Sequence, residues 1–264
     1  MSTSAPQTLT TRFLRLLAWL TVEQWRAIDR EYLPTSQSEA SPRGGFDGKA
    51  LLVFLIVAVV LISAKYLGKS NFIRSFPAAV SFFNSLPYPR LWPKVYWACF
   101  SMVNYFLLPA LMIKFVFKER IRDFGLHFER DRRVLLLYVG MFFVVLPLVF
   151  IVSFSPSFTA KYPFYRGAAN SWTELLIWEA AYGSQFAMLE FFFRGFMLFA
   201  LARYMGSNAI FVMMIPYTMI HFTKPAPETM GAVITGIALG TLALRTKSIF
   251  GGVLIHTAIG WSMD

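Results

Sequence analysis

Four side chains able to do acid–base chemistry sit in apolar surroundings in the second half of the sequence. They are Glu190 and Arg194 in MLEFFFRGF, His221 in PYTMIHFTKP and His256 in GGVLIHTAIG. Glu190 and Arg194 are four residues apart, so on a helix they share a face and can pair. Carrying such a charge to membrane depth costs about 2.5–3.5 kcal/mol on insertion scales, so ionisable residues there face the bundle interior and mark function. The plain alternative is a structural ion pair. His127 lies in the basic loop GLHFERDRR and reads as solvated, whereas His221 and His256 lie in apolar segments. A lone buried histidine is commonly a satisfied core residue, but two of them beside a glutamate and an arginine point to a site. Tyr217, one turn before His221, can pack on its imidazole.

One carboxylate and two imidazoles support two chemistries. In the first, Glu190 takes a proton from water, His221 orients that water and His256 donates to the oxyanion of an attacked peptide carbonyl. In the second, Glu190, His221 and His256 ligate zinc, with water in the fourth position. The HExxH pairing is absent, so the metal-free chemistry is the first reading and zinc the alternative.

These residues need helices at membrane depth to hold them. The 264 residues are 56% hydrophobic and 15% charged, with a mean hydropathy of +0.54, far from the roughly 25% charged of soluble domains. Apolar stretches over residues 49–66, 91–117 and 134–154 are nearly free of charge and read as lipid-facing spans. Those over 173–204, 208–222, 228–244 and 249–263 carry the four site residues. The expected fold is an all-α polytopic transmembrane bundle of about seven spans plus an N-terminal interfacial helix. Residues 11–32 form that helix, with Phe13, Leu16, Leu17, Leu20, Trp25 and Ile28 on one face and arginines opposite. Residues 34–48, rich in Ser, Gly and Pro, read as a linker, and 70–90 as a short amphipathic or re-entrant piece. Gly231, Gly236 and Gly240 allow close helix approach, Gly251 and Gly252 suit either a packing contact or a turn, and Cys99 reads as a small core residue. The division runs 1–47 for the cytoplasmic helix and linker, 48–117 for N-terminal spans and 118–264 for the site-bearing domain.

The net charge of +11 would suit nucleic acid in a soluble protein. Here most of the Lys and Arg fall between spans, which excludes nucleic acid as partner and fits the positive-inside rule. Arg12, Arg15, Arg26, Arg30 and Arg43 before the first span, and Lys118 to Arg133 before the third, place the N-terminus in the cytoplasm. A prokaryotic plasma (inner) membrane suits this arrangement. A transporter is disfavoured, since no inverted repeat or matched pair of broken helices is found.

The motifs LEFFFRG, YTMIH and GGVLIH, in that order on separate apolar segments, resemble those of the CPBP family of intramembrane proteases, also called the CAAX protease and bacteriocin-processing or Abi family. The basic loop with Phe124, Gly125 and Leu126 is similar as well. The resemblance covers roughly residues 120–260. It implies an all-α membrane bundle, endopeptidase cleavage of a membrane-associated protein or peptide, water activated by a glutamate, and histidines with a neighbouring amide at the oxyanion. Two positions depart from it. Leu189 stands where the family has the first of paired glutamates, the one usually assigned as base, and Gly260 stands where an asparagine follows the last histidine. Tyr217, Glu228 and Asp264 are accessory candidates, although Asp264 lies about 80° around the helix from His256. The alternative is a catalytically inactive relative that binds a membrane partner in immunity or sorting.

Overall fold

The computed structural model describes residues 18–33 and 48–264. Its elements are α1 (Val22–Tyr32), α2 (Gly48–Tyr66), α3 (Ser70–Arg74), α4 (Pro77–Asn84), α5 (Trp92–Phe117) and α6 (Arg132–Ser153), then α7 (Trp172–Met205), α8 (Asn208–Met219), α9 (Ala226–Thr246) and α10 (Phe250–Met263). Helices α2, α5, α6, α7 and α9 are long and apolar enough to cross a bilayer. With the shorter apolar α8 and α10 they form an all-α bundle, and the chain is an integral membrane protein. An isolated bridge between Leu126 and Ser248 is the lone β-type pairing among the described residues.

α7 is the axis of the bundle. Its most apolar stretch is 83% buried, against 22% for α2, 39% for α5 and 6% for α6, so the three early spans are lipid-facing as their uninterrupted hydropathy implies. Ser171 caps α7 by accepting from the Glu174 amide at 3.2 Å, with the acidic residue at the third helical position, a half-formed capping box. The helix widens into a π turn over Phe191–Met197, directly after Glu190, and all seven residues of that turn are buried. Such turns concentrate at functional sites. Gly195 in this turn lets the Phe124 carbonyl approach to where a Cβ would stand 2.9 Å away. Gly125 then adopts a φ of +85°, reserved for glycine by sterics, and its carbonyl accepts from Ile249 N at 2.9 Å. The short Phe124–Leu126 segment thereby fastens α7 to the start of α10.

α1 packs on one end of the bundle. Trp25 donates to Thr241 at 3.1 Å, Asp29 accepts from the Ser207 amide at 2.7 Å, and Lys247 pairs with Glu31 at 2.6 Å. Trp19, Leu20 and Val22 remain exposed, as an interfacial helix requires. Phe13, Leu16, Leu17 and the 34–47 part of the linker lie outside the described residues. The 70–90 stretch resolves into the two short helices α3 and α4. Gly236 and Gly240 press α9 onto Met213 and Met214 of α8, but Gly231 faces open space, so only two of the three glycines serve packing. Cys99 is exposed rather than core. A small, weakly polar side chain costs little against lipid, so apolar context does not fix which way it points.

Between α2 and α5, Asn104 is buried and donates to the Val60 carbonyl at 2.9 Å while accepting from Ser63 at 2.6 Å. Interhelical bonds of this kind contribute about 0.6–2 kcal/mol in membranes. Asn104→Ala is therefore expected to destabilise the protein by about 1 kcal/mol in a reversible unfolding assay in detergent, with the helical content of the folded state unchanged.

Candidate active site

Glu190, Arg194, Tyr217, His221 and His256 come together from α7, from α8 with the turn after it, and from α10. Arg194 Nη1 donates to Glu190 Oε1 at 2.5 Å, and both side chains are fully buried. His256 Nδ1 lies 2.8 Å from the same Oε1. A carboxylate beside a permanent cation accepts only, so Nδ1 is the donor, and in the neutral ring Nε2 of His256 is left as an acceptor. The second oxygen, Oε2, is buried without a hydrogen-bond partner among the described residues. It lies over Gly252, where any Cβ would stand 2.5 Å from it. Gly252 is thus a site residue, one helical turn before His256, and it settles the glycine pair as packing. Its neighbour Gly251 seats the ring of Tyr138 from α6.

Tyr217 is the hub. Its ring lies under the Arg194 guanidinium at 3.9 Å, a desolvated cation–π contact. It also meets His221 at 4.9 Å and His256 at 6.2 Å between ring centroids, and Phe193 at 5.4 Å. His221 Nδ1 sits 2.8 Å from the Tyr217 carbonyl, an acceptor, so this ring also carries its proton on Nδ1 and presents Nε2 bare. Phe186, one turn before Glu190, packs against His256 with ring centroids 4.7 Å apart and the rings tilted. It was not singled out by the sequence, although its spacing from Glu190 is the same four residues that joins Glu190 to Arg194. Exposure grades across the site: the Glu190 side chain is 0% exposed and that of His256 14%.

The two departures from the family pattern have structural counterparts. Leu189 is packed against the apolar core beside Glu190. At Gly260 a Cβ would stand 2.1 Å from Phe186, so the Phe186 ring fills the space that a larger residue on this turn would need. The accessory candidates Glu228 and Asp264 lie away from Glu190, at the end of the bundle opposite α1. Glu228, in the first turn of α9, accepts from Tyr162 at 2.8 Å and from Lys224 at 3.0 Å. Asp264 accepts from the Phe164 amide and from Trp178 Nε1, both at 2.5 Å. Together they fasten the 160–165 loop over that end. Burial pushes the Lys224 ammonium below its usual range, and Glu228 opposes the shift.

For zinc, the ligand set would need its donors to converge. His256 Nδ1 and Glu190 Oε1 are bonded to each other, and His221 Nδ1 to a carbonyl. Among the described residues no group of three or more His, Cys, Asp and Glu is arranged to hold a metal ion.

Residues 170–262, which span α7 to α10 and every residue of the site, match the family model described as Type II CAAX prenyl endopeptidase Rce1-like. No curated protein and no solved structure matches the chain. The match, the order of the three motifs and the helices that carry them agree: over its last four helices this chain is similar to the type II CAAX prenyl endopeptidases of the Rce1-like family.

Proposed function

We propose that the chain is an intramembrane endopeptidase of the CAAX type, hydrolysing a peptide bond in a membrane-associated protein or peptide, with Glu190, Arg194, His221 and His256 as its machinery. The observation that carries this reading is the Glu190–His256 hydrogen bond, made by a fully buried carboxylate to a partly exposed imidazole. In this reading Glu190 acts through His256. Its carboxylate holds the Nδ1–H tautomer, and Nε2 removes a proton from water, as in carboxylate–histidine pairs elsewhere. The water oxygen attacks the scissile carbonyl, and the proton on Nε2 then passes to the leaving amine. Glu190 balances the imidazolium in between, and Arg194 holds Glu190 in place. His221, on the other flank of Tyr217, offers a second Nε2 to orient the water. This differs from direct proton removal by Glu190, whose burial and shared Oε1 keep it from water. We also propose, from the charges around α1 and the 118–133 loop, that this end faces the cytoplasm of a prokaryotic cell.

A second reading is favoured by Leu189 and by the Phe186 ring over Gly260: a non-catalytic relative that uses the same polar cluster to bind a membrane partner. One assay separates them. Purified protein in liposomes is offered a library of membrane-anchored peptides. The first reading expects cleavage that a chelator leaves intact and that Glu190→Gln, His221→Ala and His256→Ala each lower by about 100-fold or more, with insertion unchanged. Retained cleavage in all three variants would overturn the assignment. No cleavage by wild type, together with a cellular phenotype that survives Glu190→Gln but not deletion, is what the second reading expects.

The closeness of Gly252 to Glu190 yields a further expectation. Gly252→Ala places a methyl group 2.5 Å from Oε2 and displaces the carboxylate from His256, so cleavage falls about 100-fold. Gly231→Ala, on open surface, leaves cleavage unchanged and serves as its control.

A further inference from the structure

Between α2 and α5 the chain makes a detour whose charges the catalytic reading does not use. Helices α3 and α4 and the turn after them line an open groove of about 410 Å³. Arg74, Asn84 and Arg90 line it, with Val80, Phe83 and Pro93 as apolar walls. Ser70 ties α3 to α5 by donating to the Pro93 carbonyl at 2.9 Å. The turn is built to bring Arg90 round. Tyr88 adopts a φ of 58°, left-handed and uncommon for a residue with a Cβ, and its carbonyl accepts from Leu91 N at 2.9 Å. Trp92 Nε1 closes the same turn on the Pro87 carbonyl at 2.8 Å.

Among the described residues, neither arginine has an ion-pair or hydrogen-bond partner in its side chain, and the Asn84 amide has none either. The surroundings add positive charge. The Lys69 ammonium is held below its usual range, first by burial and then by Lys65 and Lys161 nearby, while Lys94, itself partly buried, feels Arg74 and Lys161 with Asp264 opposing them. Two forked guanidiniums and a carboxamide lining one open groove are the donor chemistry that a phosphate group takes. The site follows directly on α2 and precedes α5, so it lies at the level where spans leave the membrane. Phe76 and Phe82 beside it are 47% and 60% exposed, as aromatics at headgroup depth are. Free phosphate gains nothing from such rings, whereas a lipid does.

We propose that this groove binds the phosphate of an anionic phospholipid headgroup, with Arg74 and Arg90 as its clamp. The site is independent of the proteolytic reading. The test is lipid retention: full-length protein is reconstituted in nanodiscs of phosphatidylcholine with a minor share of phosphatidylglycerol, released into detergent, and the retained lipid is identified by native mass spectrometry. Wild type is expected to keep phosphatidylglycerol in preference to phosphatidylcholine. The double variant Arg74→Gln/Arg90→Gln should lose that preference by at least about tenfold, while Arg130→Gln/Arg133→Gln, in the loop on the α1 side, keeps it. Arg90→Gln alone, with a wild-type unfolding midpoint as its folding control, should show an intermediate loss. Unchanged retention in the double variant would overturn the proposal. So would displacement of the lipid by inorganic phosphate at equal concentration, which would assign the site to free phosphate instead.

Discussion

Everything in the C-terminal half of this protein is arranged around one buried oxygen. Glu190 Oε1 accepts from Arg194 on its own helix and from His256 sixty-six residues away. Neither charge could be left alone at this depth, because an unpaired buried ion costs several kcal/mol. The pair within α7 is local and forms as the helix forms. The bond to His256 is not, and it fixes how α10 must lie on α7. Charge balance thus acts as a register for the bundle, and the dry wall of Phe191, Phe192 and Phe193 strengthens it by excluding water.

Packing meets that demand with small residues. Lipid offers no hydrophobic drive for helices to associate, so close approach and polar contacts carry the association. α10 is the example. Gly251 accepts the Tyr138 ring of α6, Gly252 leaves room for the Glu190 carboxylate, and Gly260 lies against Phe186. On the opposite side, Gly236 and Gly240 draw α9 onto α8, which carries Tyr217. The site is therefore held from three directions by contacts a single methyl group would disturb. The Phe124–Leu126 segment and α1 close one end, and the Tyr162, Glu228 and Asp264 contacts close the other.

Much of this was readable from residue types. Charges in apolar runs separated α7 from the outer spans, and the sequence segment 173–204 falls within one residue of α7 at each end. The spacing of Glu190 to Arg194 and of Tyr217 to His221 translated directly into contacts, because one helical turn is a fixed geometry. What failed depended on which way a helix faces. Cys99 is exposed and Gly231 is open because hydropathy is equally satisfied by lipid and by core. The partnership of Glu190 with His256 is a contact between distant segments, and Phe186 gave no signal beyond its spacing. The arginines of the α3–α4 groove looked like ordinary span-flanking charges until the turn at Tyr88 brought them together.

In the proposed mechanism Glu190 holds His256 with its proton on Nδ1, leaving Nε2 free to take one from water. Solid-state NMR of ¹⁵N-labelled histidine in the His127→Gln background, with His221 assigned by its own variant, reads this tautomer directly. In the neutral His256 imidazole a protonated Nδ1 and a bare Nε2 are expected, with that tautomer lost in Glu190→Gln. A His256 protonated on Nε2, or one whose tautomer is indifferent to Glu190, would contradict it.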